Sequence, residues 1–178
     1  MPRAPFDADA LLRAAQRGER GPCGSFAIRI DRDGRWHYRG SPIERLPLVR
    51  LFASVLRRAD DGTYWLVTPG EQGLIEVEDA PFAAVELRRE GEGGGALLRF
   101  RTNLDEWVPL DPDHPLRLGT GADGASVPYL SVRDRLEARV ARAVYYELAD
   151  LAEPDPDSGT DLGVWSAGRF WPLGRADG

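Results

Sequence analysis

Short alternating runs, each cut off by a turn, constrain this chain more than any other feature. Phe26, Ile28 and Ile30 fall on one side of a run and Ala27 and Arg29 on the other. That period of two marks a half-buried strand. Asp31 to Gly34 reads as a turn, with Gly34 suited to a positive φ, and Arg35 to Arg39 as the returning hairpin strand. Further strands are predicted at Thr63 to Thr68, Leu74 to Glu78, Phe82 to Arg89, Leu97 to Arg101, Trp107 to Leu110 and Val127 to Val132. The Thr63–Thr68 strand is apolar on both faces and is expected to be central. A last hairpin is predicted over Gly163 to Ser166 and Arg169 to Trp171.

Helical spacing is rarer. Asp7 can cap a short helix, with Phe6 against Leu11 as a hydrophobic staple. Leu48, Leu51, Phe52, Val55 and Leu56 recur at helical intervals behind Pro47, which predicts a helix ending at Asp60 to Gly62. Asp134 with Glu137 resembles a capping box. It predicts the longest helix, to Ala152, with Leu136, Val140, Val144, Leu148 and Leu151 inward. Residues 111–126 read as a long irregular loop. These elements predict an α+β fold of two structurally similar β-β-α-β-β halves, packed into one compact unit. Residues 1–22 form an N-terminal helix and linker, residues 23–90 the first half and residues 91–178 the second. In that repeat Trp36 matches Trp107, the helix at 47 matches that at 134, and Trp65 matches Trp165.

Composition removes several chemistries. All 23 basic residues are arginine, so no lysine can form a Schiff base, anchor pyridoxal phosphate or complete a P-loop of the usual kind. One cysteine excludes an internal disulfide or a thiolate cage for zinc. Two histidines cannot supply a three-histidine or HExxH metal site. No GxSxG is present. No apolar run approaches the roughly 20 residues of a membrane helix, and the first residues lack a signal-peptide core, so no membrane partner and a cytoplasmic location are expected. The net charge of −6 hides a split: residues 1–59 sum to +6 and residues 60–178 to −12. A pI near 5.0 argues against nucleic acid as a partner.

Residues 34–82 resemble the bacterial family called domain of unknown function 1285. The resemblance is carried by Trp36 with Gly40-Ser-Pro-Ile43, by Leu51 to Leu56, by Tyr64-Trp-Leu-Val-Thr-Pro69 with Glu71, and by Val77 to Phe82. Later stretches look similar too: His114 to Arg117, Pro128-Tyr129, Arg133, Leu136 to Arg139 with Arg142, and Val164 to Ser166 with Gly168. The match covers about residues 24–173. It implies a two-part α+β protein with similar halves, and a role in small-ligand binding or intracellular signalling. It attaches no catalytic residue.

Candidate ligand-binding residues follow from the motifs. Thr68 and Glu71 form a polar corner at the end of an apolar strand, with Glu78 and Asp79 nearby; turn chemistry is the plainer account of such a corner. Arg135, Arg139 and Arg142 are spaced for one helix face, with Arg133 ahead of the cap, and such a row can grip a phosphate or carboxylate. His37 and His114 are potential proton carriers. The five tryptophans, Trp36 and Trp165 foremost, with Tyr64, Tyr129, Tyr145 and Tyr146, are either core packing or candidates for an aromatic slot at the junction of the halves. The expected function is non-enzymatic: ligand binding or signalling, with a small anionic metabolite held between the halves. The alternatives are a hydrolase using Glu71, Glu78 or Asp79, with or without a metal, and a protein–protein module or homodimer. No metal ligand set is identified, and the cofactor is unknown.

Overall fold

The computed structural model describes residues 23–121 and 123–175. The predicted helix from Asp7 lies outside them. The chain forms two compact units, Met1–Glu78 and Asp79–Gly178.

The first unit begins with the predicted hairpin, β1 (Cys23–Ile30) and β2 (Trp36–Tyr38). Its turn closes because the Asp31 carboxylate accepts the N–H groups of Asp33 and Arg35, while Gly34 takes φ +80°. Next come β3 (Ser41–Pro42), α1 (Leu46–Ser54), β4 (Leu56–Arg58), β5 (Tyr64–Val67) and β6 (Gln72–Val77). Pro47 sits in the first turn of α1, where its missing N–H costs nothing, and Val49, Phe52 and Ala53 are buried. Phe52 stacks on Trp36 at 6.1 Å between ring centroids. The helix stops at Ser54, earlier than expected, because Leu56–Arg58 pairs with β5. The Asp60 to Gly62 signal is therefore a hairpin turn. Strand β5 is second from the edge rather than central, and Val67 is 37% exposed.

The sheet order is β3-β2-β1-β6-β5-β4. Neighbours are antiparallel except for β1 and β6, the first and last strands, which run parallel at the centre.

The second unit contains β7 (Phe82–Glu90), β8 (Leu97–Thr102), β9 (Trp107–Pro109), β10 (Leu116–Thr120), β11 (Ser126–Arg133) and β12 (Leu136–Val140). Their order, β9-β8-β7-β12-β11-β10, repeats the first sheet strand for strand, again with first and last strands parallel at the centre. The chain then forms α2 (Arg142–Asp150) and a small sheet of β13 (Glu153–Pro154), β14 (Asp161–Ser166) and β15 (Arg169–Arg175). The buried Ser166 hydroxyl donates to the Leu110 carbonyl and accepts the Leu98 N–H, tying β14 to the larger sheet.

The fold is thus α+β but mostly β: two similar six-stranded mixed sheets, each with one helix, and a third small sheet. Several expectations change. The 91–95 loop joins the paired strands β7 and β8 of one sheet, so the boundary expected at 90/91 falls inside a hairpin. The irregular 111–126 stretch contains β10. The long helix from Asp134 is replaced by a tight turn, with Asp134 at φ +45° and Arg135 at +65°, then β12, then the nine-residue α2. The spacing of Leu136, Val140, Val144 and Leu148 explains the error. An interval of four is a whole number of strand periods and also close to one helical turn. The repeat is real but differently registered. Trp36 lies on the second strand of its sheet and Trp107 on the third of the other, while Trp165 belongs to the small sheet. The helices occupy different places in the order.

Candidate functional site

Strands β10, β11 and β12 place Arg117, Tyr129 and Arg139 opposite one another in a single lateral row. The Arg117 guanidinium lies 4.4 Å from the Tyr129 ring centroid, within cation–π range. Its Nε and Nη2 donate to the two carboxylate oxygens of Glu137 at 2.5 and 2.6 Å. That bidentate pair raises the Arg117 pKa.

Asp79 closes the row. The Tyr129 hydroxyl donates to Asp79 Oδ1 at 2.8 Å, and Arg139 Nη1 donates to Asp79 Oδ2 at 3.0 Å. Burial, and then the hydrogen bond and charge of Asp79, push the Tyr129 pKa up to about 12. The phenol is therefore a held proton donor at neutral pH and keeps Asp79 in place.

Beside this network lies an open cleft of about 150 Å³. Val127, Pro128 and Val140 give it an apolar floor, and Arg139, Arg142, Tyr145, Tyr146, Ser126 and Asp123 line it further. The elements that build it are the start of β11 with the turn before it, the end of β12 and the start of α2. Ala141, the residue before α2, carries no capping side chain, so the cleft meets a helix start whose first N–H groups have no side-chain acceptor. Arg142 is exposed, with no ion pair among the described residues. The Tyr145 and Tyr146 rings are 6.4 Å apart, and Tyr146 is 57% exposed. A free guanidinium above an apolar floor with two aromatic rings can bind an anion that carries a small apolar body.

The predicted site residues divide accordingly. Arg139 and Arg142 meet at the cleft, although on a strand and a helix start rather than along one helix face. Arg135 lies apart, in the tight turn. Asp79 joins the cleft through Arg139. Arg133 donates to Glu106 at 3.2 Å and stands over the Phe82 ring. Trp165 lines a separate hollow of about 20 Å³ with Arg89, Leu98 and Leu151. Its ring meets Phe170 edge-on.

The remaining candidates serve their local structure. Thr68 and Glu71 belong to the first unit. The Thr68 hydroxyl donates to the Glu71 carbonyl and accepts the Glu71 N–H, both at 2.9 Å, which closes the turn. Trp36 is 2% exposed and forms core. Of the three acids of the hydrolase reading, Glu71 belongs to the Thr68 turn, Glu78 pairs with Arg29 and accepts the Arg32 N–H in the first unit, and Asp79 serves Tyr129 and Arg139 in the second.

His114 Nδ1 lies 2.9 Å from Asp111 Oδ1 across a single loop. His37 Nε2 lies 2.8 Å from Asp31 Oδ2, and the buried His37 Nδ1 has no partner among the described residues. Burial opposes ionisation of Asp31, but its bonds from His37, Arg35 and Asp33 outweigh that and hold its pKa below the ordinary value. No group of three or more His, Cys, Asp or Glu side chains among the described residues is placed to hold a metal. No described helix is long and apolar enough to cross a membrane.

Tyr129, Arg117 and Glu137 complete the network; Tyr129 was expected only as one of several slot or core aromatics, and Arg117 and Glu137 were not among the expected site residues. Their signal is the strand register: two strands around a tight turn bring Tyr129 opposite Arg139. Reading 134–152 as one helix conceals that pairing.

The sequence matches two family descriptions in tandem. Residues 19–80 match "Domain of unknown function (DUF1285), N-terminal domain", and residues 81–173 match "Protein of unknown function (DUF1285), C-terminal domain". The crystal structure of a DUF1285 family protein from Silicibacter pomeroyi DSS-3 is similar at 36% identity and a TM-score of 0.82, over 94% of this chain and 96% of that one. That of a DUF1285 family protein from Shewanella baltica OS155 is similar at 28% identity and a TM-score of 0.54, over 70% of this chain and 91% of that one. No curated protein matches the chain.

Proposed function

The chain belongs to the DUF1285 family, and we propose that it is a non-enzymatic binding protein for a small anionic metabolite, held in the cleft of the second unit. One observation carries this reading: Arg142 stands at an open cleft with no acidic partner among the described residues. Arginines without a role in the fold are usually spread over solvated faces. Here the unpaired guanidinium adjoins an apolar floor, two tyrosine rings and a second arginine oriented by Asp79. Such convergence of a few polar groups on an apolar hollow is how ligand sites are built. The site offers binding and orientation.

A thermal-shift screen of the full chain against organic acids, nucleotides and coenzyme A derivatives tests the reading. A ligand present at about 100 times its Kd stabilises by about 2.7 kcal/mol, which is a shift of several degrees. At least one anion is expected to raise Tm, and Arg142→Gln is expected to abolish the rise while keeping the unliganded Tm. If no anion shifts Tm, or if Arg142→Gln responds like the parent, the reading is wrong.

A further inference from the structure

The geometry points to a ligand of one chemical class for this cleft: a small monocarboxylate on an apolar body of about six to ten non-hydrogen atoms. This rests on the anion-binding reading above and deepens it.

Charge sets the first limit. Of the two arginines that line the cleft, Arg139 already donates to Asp79 at 3.0 Å. Arg142 is the one without an acidic partner among the described residues. A single uncommitted guanidinium matches a single negative charge. The second charge of a phosphate monoester would meet an arginine already held by a carboxylate, with Asp123 lining the same cleft. Like charges repel, so a second negative charge is the poorer match beside these two carboxylates. A carboxylate also fits the planar fork of arginine in a bidentate manner.

Volume and lining set the second limit. The cleft holds about 150 Å³, close to that of an engineered apolar cavity known to take one benzene ring. Val127, Pro128, Val140 and the Tyr145 ring supply apolar surface for the body of the ligand. They suit a ring or a short branched chain, with Tyr146 at the mouth. A nucleotide or coenzyme A would leave most of its surface outside.

The test is an amide and aromatic NMR titration of the full chain, with sodium benzoate, sodium hexanoate, phenyl phosphate and inorganic phosphate as probes. Benzoate or hexanoate is expected to perturb Val127, Tyr145 and Tyr146 saturably, at least tenfold more tightly than either phosphate. Arg142→Gln is expected to weaken that binding at least tenfold, and Arg142→Lys to restore part of it. Thermal melting of each variant reports whether it is folded. If phenyl phosphate or inorganic phosphate binds there as tightly as benzoate, the monocarboxylate class is wrong while the anion site stands. If no probe perturbs these residues, and the broader anion screen also shows no shift, the anion site itself falls.

Discussion

The two large sheets share one strand order but differ at the same point. In each, the residue after the sixth strand donates its N–H to the first strand: Glu78 to Ile30 in the first unit, Ala141 to Ala84 in the second. From there the chains part. Glu78 turns its carboxylate back onto Arg29 and the Arg32 N–H. Ala141 has no side chain to turn back and leads directly into α2. The first helix instead lies between the third and fourth strands of its sheet. The cleft therefore lies where α2 follows the sixth strand, against the strands β11 and β12 of the shared sheet. At the same point one copy of the framework turns a side chain back and the other runs on into a helix.

The comparison is broken most severely by emptying the matching cores. Leu66 and Leu130 are 1% and 0% exposed on the fifth strand of each sheet. Leu66→Ala and Leu130→Ala should each cost about 2–5 kcal/mol. If the units unfold separately, calorimetry will show each variant lowering a different transition. A single transition lowered equally by both would show that the two units melt as one.

The glycines opposite aromatic rings give the next largest effect. A Cβ on Gly73 of β6 would lie 2.3 Å from the Phe26 ring, and one on Gly119 of β10 would lie 2.7 Å from the Tyr129 ring. Each ring covers the bare backbone of a glycine across the sheet. Gly73→Ala should destabilise by about 1–3 kcal/mol through overpacking. Gly119→Ala should cost a similar amount and also disturb Tyr129. Urea denaturation measures both, and pairing Gly73→Ala with Phe26→Leu should recover part of the loss.

Asp79→Asn is the smaller perturbation and separates the units chemically. It should cost about 1–3 kcal/mol, because a part-buried arginine loses its charged partner. It should also lower the Tyr129 pKa from about 12 without returning it fully to normal, since burial is the larger cause. Ultraviolet difference titration follows the phenol directly.

The pH dependence should then differ by unit. Tyr129 has a raised pKa when folded, so its contribution is fully present below pH 10 and is lost as pH rises toward about 12. Asp31 has a lowered pKa, so its contribution is present above its ordinary value of 3.8 and is lost as pH falls below it. Hydrogen exchange should show alkali loosening the second unit and acid the first. The reverse order would contradict both assignments.

Much of this was legible in the sequence. Turns such as Asp31 to Gly34 and strict alternations such as Phe26 to Ile30 report local geometry, and local geometry decides them. The failures share a cause. Leu56 suits a helix stripe or an inward strand position equally, and only its pairing with Leu66 decides between them. Leu136 and Val140 are ambiguous in the same way. Arg139 and Arg142 could be picked out by type, but their convergence depends on a strand end meeting a helix start. Thr68 and Glu71 illustrate the opposite case. Their residue types suggest a ligand corner, while the bonds between them already account for the turn.

The parallel pair at the centre of each sheet has a kinetic consequence. Ile30 completes its ladder only against Val77, and Phe82 only against Ala138. On the ribosome, neither framework can close until its sixth strand has emerged. Until then two hairpin fragments must wait with their central edges bare. Long-range pairing of this kind slows folding and leaves strand edges open to association. The same order that makes each unit a closed circuit in sequence thus makes its birth slow, and it does so twice in one chain.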